Sequence, residues 1–198
     1  MVPVLPLIHL VRHGETAWTQ TRQHTGLTDI PLTERGRLDA QRLGERLRGN
    51  RAAHVFTSPL QRAKTTCDLA GFGANATVDA DLVEWDYGDY EGLTTAEIRQ
   101  RAPGWQLFRD GCPGGEAAGD VGRRADRFLA RLSRLDGDSL VFSSGHFLRV
   151  LTARWLGLDA SQARLFLLST TTLSILGYEH DRTDPVIRLW NDARPGDD

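Results

Sequence analysis

The chain has 198 residues, 40% hydrophobic and 25% charged, which suits residues 1–198 to one globular domain with a sizeable core. A formal net charge of -2 gives no global attraction to nucleic acid or acidic membranes, and no apolar run is long enough to span a bilayer. Cys67 and Cys112 lie far apart without metal-type spacing, so neither a disulfide framework nor a structural zinc site is indicated.

In chain order, the N-terminal "MVPVLPLIHL" is apolar but lacks a basic start and a cleavage site. It reads as the lead-in to a buried strand, "LIHLV", and not as a signal peptide, so a cytoplasmic location is expected. "LTERGRLDAQRLGERLRG" follows with Ala40, Leu43, Gly44 and Leu47 at helical spacing, Thr33 as N-cap and Gly49 as stop. "HVFT" is a second strand, leading into a helix on "SPLQRAKTTCDLAGF" in which Ser58 caps and Pro59 takes the first helical position. Cys67 falls on that helix beside Ala63 and Ala70, the placement of a buried, inert thiol.

The segment around 79–115 departs from this rhythm. It carries Trp85, Tyr87, Tyr90, Trp105 and Phe108 among glycines, prolines and acids, with a short helix near "TTAEIRQR". Such a stretch is either a functional lid or a cap packed over the core. A long amphipathic helix follows, with Val121, Ala125, Phe128, Leu132 and Leu135 on one stripe. Then come the strand "SLVF", a helix over Phe147 to Leu156, β segments in "TTTLSILGYE" and "PVIRLW", and a frayed tail, "NDARPGDD". Strands alternating with helices predict an α/β three-layer sandwich, a central mostly parallel sheet with helices on both faces.

Ligands in such sheets bind beyond the carboxyl ends of the strands. Three strand exits, "VRHGET", "FTSPLQR" and "FSSGHFLR", bring Arg12 and His13, Ser58 and Arg62, and Ser144, His146 and Arg149 to that edge. Three arginines and two histidines around one crevice describe a site for a compact, multiply charged anion. Guanidinium forks match phosphate oxygens, so Arg12 and Arg62 are candidate clamps. Arg62 falls in the first turn of its helix, where backbone amides and the helix dipole also favour an anion. His13 is the candidate nucleophile, because Gly14 allows close backbone approach and a carbonyl to fix the ring tautomer. Glu84 in "LVEWDYGDYEG" fits the acid that protonates a leaving alkoxide, with Asp81, Asp86 and Asp89 as rivals. His9, His54 and His180 read as structural, and the arginines argue against a metal held by His13, His24 and His146. The "GCPGG" loop follows no strand and lacks a P-loop lysine, so it is no nucleotide cradle.

"LVRHGETAW" resembles the signature of the histidine phosphatase superfamily, the phosphoglycerate mutase-like proteins. "HTGLTDIPLTERG", "FTSPLQRAKTT", "EWDYGDYEGLTTAEI", "DGCPGGE" and "GHFLRVL" follow in that family's order, so the resemblance covers roughly residues 7 to 155. The "EWDYGDYEG" and "DGC" segments look most like the small-molecule phosphatase branch, with sedoheptulose-bisphosphatase-like and acid-phosphatase-like members. The resemblance implies a phosphohistidine on His13, phosphate binding by Arg12 and Arg62, and proton donation by Glu84. It places Thr25 and Gly26 in the loop lining the substrate, and Tyr87 and Arg149 at substrate contacts. It implies no metal or organic cofactor. A small phosphorylated metabolite is the expected partner, and nothing in the sequence excludes a homodimer. Gln23, His24, Tyr87 and Tyr90 among arginines suit a polar sugar phosphate or carboxylate.

Two departures bear on activity. The family's RHG segment often continues to an Asn where this chain has Thr19, at the phosphate edge. The larger one is at Ser144: aligned on Gly145, the family's second histidine, a donor to the phosphoryl oxygens, falls on this serine. Losing one preorganised transition-state donor typically costs ~10²–10³ in turnover. The alternatives to hydrolysis are a non-catalytic phospho-ligand binder and a phosphoglycerate mutase, the latter disfavoured by the short chain.

Overall fold

The computed structural model describes residues 5–193. Six strands form one sheet in the order β3-β2-β4-β1-β5-β6. β1 (Ile8–Arg12) is followed by a five-residue helix, α1 (Ala17–Thr21), and by α2 (Glu34–Arg46). Then come β2 (His54–Thr57), α3 (Gln61–Leu69) and the short edge strand β3 (Ala76–Val78). α4 (Thr95–Arg101), α5 (Leu107–Asp110) and α6 (Ala118–Leu132) precede β4 (Ser139–Ser143). α7 (Gly145–Trp155) leads to the hairpin of β5 (Leu173–Tyr178) and β6 (Pro185–Asp192).

β3, β2, β4 and β1 run parallel, and β5 and β6 add antiparallel pairings at one side, so the α/β sandwich is mixed at that edge. The alternating pleat of a strand explains the layers. Leu140 and Phe142 of β4 pack with Val11, Leu43, Val55 and Cys67 under α2 and α3. Val141 faces the other way, into the core of Leu10, Phe128, Phe147 and Leu151 under α6 and α7. Every residue of β4 is buried. Burial pushes the Cys67 thiol up to about 12, as suits an inert core cysteine.

Most helices follow their local signals. Thr33 caps α2, its Oγ accepting from Gly36 N at 3.0 Å, and Thr94 and Glu97 form a capping box on α4. α3 differs from its sequence reading. It starts at Gln61 instead of Pro59, Leu60 is its N-cap residue, and Ser58 Oγ accepts only from Leu60 N at 3.4 Å. The capping carboxylate is Asp29, whose Oδ1 accepts from Gln61 N at 2.8 Å from 32 residues upstream. Local sequence carries no signal for a cap supplied by a distant loop.

α6 ends at Leu132, which leaves Leu135 in the turn beyond it. The tail reading also needs correction: Asn191 and Asp192 belong to β6, where Asn191 Oδ1 accepts from Ser169 N and Asp192 pairs with Arg46. Residues 194–198 lie outside the described residues. The segment around 79–115 is packed into the larger core, with Trp85, Tyr87, Trp105 and Phe108 all buried. The buried indoles are satisfied, Trp85 Nε1 by Glu116 O and Trp105 Nε1 by Gly111 O. Among the described residues no helix is long and apolar enough to cross a membrane.

Candidate active site

Because β2, β4 and β1 are adjacent and parallel, their three exits lie on one edge. Arg12 is in register with Ser143, and His13 N donates to Ser143 O at 2.9 Å. A cavity of about 240 Å³ opens there, walled by Arg12, His13, Glu84, Gly145 and His146. Thr19, Gln23, His24, Thr25, Tyr87 and Arg149 complete the part anticipated from the sequence. Arg22 and Leu168 also line it and were not anticipated.

His13 is buried, and its Nδ1–H donates to the carbonyl of Gly14 at 2.8 Å. In the neutral ring this leaves Nε2 with a free lone pair. Burial, then the charges of Arg62 and Arg12, hold His13 well below the usual imidazole range. Gly14 is itself fixed, its N–H donating to Thr66 Oγ1 at 3.0 Å. A Cβ on Gly14 would sit 2.6 Å from Gly36 O, so the exit of β1 presses backbone to backbone on α2.

Arg12 and Arg62 differ in what they offer a ligand. Arg12 lines the cavity, donates from Nη1 to Leu168 O at 2.5 Å, and has an Nε without a protein partner. Gly145 admits it: a Cβ there would lie 3.0 Å from that Nε. Arg62 is fully buried beneath the lining residues, with Nη1 on Thr28 O and Nη2 on the carbonyls of Thr25 and Gly26. The picture of Arg62 as an open two-pronged clamp therefore needs correction. Its fork holds the 25–28 loop, and its Nε is the buried donor left without a partner. The same loop is gripped from its amide side by Glu91, which accepts from Gly26 N at 2.8 Å and Thr28 N at 3.2 Å. Gly26 serves that clamp and is not on the cavity wall. Ser58 is buried away from the wall, because α3 begins after it.

Glu84 sits at the N-terminus of α7. Its Oε1 accepts from Trp85 N at 2.9 Å and Phe147 N at 2.8 Å, and its Oε2 from His146 N at 2.9 Å. Oε2 thus keeps room for one further hydrogen. The backbone bearing Glu84 is held by Arg124, which donates to the carbonyls of Asp81, Val83 and Glu84 and forms a two-pronged pair with Glu116 at 2.8 Å. Asp81 pairs with Arg127 and Arg131 on the exterior, which separates this rival carboxylate from the cavity.

Tyr87 O–H lies 2.5 Å from His146 Nδ1. Burial raises the phenol well above its ordinary value and holds His146 well below its own. Both groups therefore stay uncharged, and the hydrogen bond joins a neutral phenol to a neutral imidazole. His24 packs at a tilt against Tyr87, their ring centroids 4.7 Å apart, and is lowered to about 4 by burial. Gln23 Nε2 donates to Gly92 O at 2.7 Å, and Thr19 is tied to Thr16 in the capping box of α1. Ser144 is the N-cap residue of α7, and its buried Oγ has no partner. Among the described residues, no group of three or more His, Cys, Asp or Glu is arranged to hold a metal.

Residues 8–193 match the histidine phosphatase superfamily (branch 1). The chain belongs to this superfamily. It is 41% identical over 175 residues to an acid phosphatase of Mycobacterium tuberculosis, covering 86% of each chain. It is 37% identical over 194 residues to the sedoheptulose 1,7-bisphosphatase of Saccharomyces cerevisiae, covering 82% of this chain and 72% of that one. A solved structure of an open reading frame from Mycobacterium tuberculosis superposes with a TM-score of 0.88 at 38% identity, covering 94% of this chain and 97% of the other. This histidine phosphatase is thus an enzyme of the phosphatase type.

Glu91, Glu116 and Arg124 were missed by sequence reasoning. Glu91 and Glu116 lie inside the quoted "DYEG" and "GGE" segments, so a signal was present. Their partners, a loop 65 residues away and a helix, gave none.

Proposed function

We propose that this histidine phosphatase hydrolyses small phosphorylated metabolites, sugar phosphates or phosphoglycerate-like acids, through a phosphohistidine on His13. The observation that carries this reading is a neutral imidazole whose Nε2 lone pair is freed by the Nδ1–H bond to Gly14, under the charges of buried Arg62 and half-buried Arg12. Nε2 attacks phosphorus in line and the ester P–O bond breaks. The leaving oxygen takes a proton from Glu84 Oε2, the carboxyl oxygen with room for one. Water then attacks phosphorus, its proton returns to Oε2, and the N–P bonding pair returns to His13 as inorganic phosphate leaves. Arg12 Nε is a donor for the charge that builds on the phosphoryl oxygens. The relatives' names, an acid phosphatase and a sugar bisphosphatase, support a small ester as substrate.

Ser144 favours a second reading, a phosphate-ester binder without turnover, since it removes a donor from the pocket. Hydrolysis of p-nitrophenyl phosphate between about pH 5 and 8 separates the two. The first reading expects measurable turnover, abolished by His13→Ala and raised ~10²–10³-fold by Ser144→His. If both the natural chain and Ser144→His bind the ester but are inert, the binder reading replaces it.

A further inference from the structure

The exit of β1 is held from both sides, by two different devices. Towards β4 the hydrogen bonding stays regular, His13 N donating to Ser143 O at 2.9 Å. Towards β5 the ladder stops at Val11 and Leu173. Beyond it a single amide takes over: Thr171 N–H is shared between Arg12 O at 3.1 Å and His13 O at 3.3 Å. Carbonyls that leave a strand end still need a donor, and this one amide serves the two residues on which the phosphoryl site depends.

The conformation that aims the amide is strained. Thr171 is buried and sits at φ 57°, in the left-handed region, where a β-branched side chain is an outlier and glycine would be relaxed. Such outliers persist only where the surroundings over-determine them. The packing around Thr171 supplies that constraint. Thr172 Oγ1 donates to Ser169 O at 2.9 Å, and Ser169 N donates to Asn191 Oδ1 at 2.7 Å. Asn191, near the end of β6, is itself left-handed at φ 54°, and its N–H donates to Ser174 Oγ at 2.9 Å. Trp190 Nε1 fixes the approach to the turn by donating to Leu167 O at 2.6 Å. The same turn also reaches the guanidinium, because Leu168 O is the one protein acceptor that the Arg12 side chain meets among the described residues. Arg12 is therefore gripped at both ends, its carbonyl by Thr171 and its fork by Leu168, while its Nε stays unengaged.

We infer that Thr171 is a positioning residue: its strained amide, braced on β6 through Asn191, sets Arg12 and His13 relative to each other and so fixes the geometry open to a phosphoryl group. Thr171 does not line the cavity and acts through those two residues. This rests on the reading of the cavity as a phosphoryl site, and it does not require turnover.

The test compares orthovanadate, which takes the five-coordinate geometry of in-line transfer, with inorganic phosphate, which does not. Both are titrated calorimetrically into the natural chain and into Thr171→Gly, and the thermal midpoint of each chain is measured. Glycine removes the strain and frees the turn. Thr171→Gly should bind vanadate roughly tenfold less tightly and phosphate no more than about threefold less, with its thermal midpoint unchanged or raised. Asn191→Gly, which suits the left-handed backbone and deletes the bond to Ser169, should move in the same direction by a smaller factor. Thr171→Ala keeps a Cβ on the turn and should keep most of the vanadate affinity. A merely structural role predicts a different pairing, a lowered midpoint with both anions weakened alike. That result, an unchanged vanadate affinity in Thr171→Gly, or a natural chain that does not bind vanadate overturns the inference. Hydrolysis of p-nitrophenyl phosphate by the natural chain reads the separate question. If turnover is absent but the vanadate effect holds, the hydrolytic reading fails and the positioning role stands.

Discussion

The exits of β1 and β4 are neighbours built to one plan, and they end differently. Both strands run parallel in register and deliver a short polar turn to the same edge. At β1, His13 is locked through Gly14, and Gly14 through Thr66. At β4, Ser144 holds the corresponding place with a buried hydroxyl that meets nothing, while Gly145 yields its space to Arg12. His146, one residue further on, is held on Tyr87 and presents a neutral ring to the cavity. The difference teaches that a sheet supplies positions for backbone atoms, and that the reach and charge of one side chain decide what each position does.

The largest expected break in this comparison is on the β1 side. His13→Ala should lower turnover by on the order of 10³-fold or more and remove any acid-labile phosphoenzyme, measured by rapid quench with labelled substrate. A smaller loss is expected from the support beneath Glu84. Arg124→Met leaves Glu116 and three carbonyls without their donor, and should reduce kcat by up to ~10²-fold with a smaller change in KM. The same change should cost about 3 kcal/mol in a denaturant melt, the scale for breaking a largely buried pair. On the β4 side, Tyr87→Phe frees His146 Nδ1 and should lower kcat/KM by about tenfold, the worth of one oriented hydrogen bond.

The smallest effect is in the pH profile. His13 and His146 are held well below 6.5, and His24 is lowered to about 4, so these rings stay neutral as pH falls from 7 through the ordinary imidazole range. After correction for substrate ionisation, kcat/KM should show no acid limb centred near 6.5. A limb there would mean that His13 titrates as an exposed imidazole does.

Much of this was legible in the chain itself. Short-range chemistry writes itself into short stretches: apolar runs make β1, β2 and β4, Thr33 and Thr94 cap their helices, and Arg12-His13-Gly14 brings an imidazole and its tautomer-fixing carbonyl together within three residues. The alternation of strands and helices also placed three exits on one edge. Only the tertiary structure decided how the charges are distributed there. Arg62 became a strut for the 25–28 loop because carbonyls 34 to 37 residues away fold over it. Ser58 lost its capping role to Asp29, Glu84 was set apart from Asp81 by the amides of α7, and Arg22 joined the cavity through a left-handed turn. Each of these outcomes depends on which donors and acceptors meet after the layers pack, and no local pattern encodes a partner that arrives from another element.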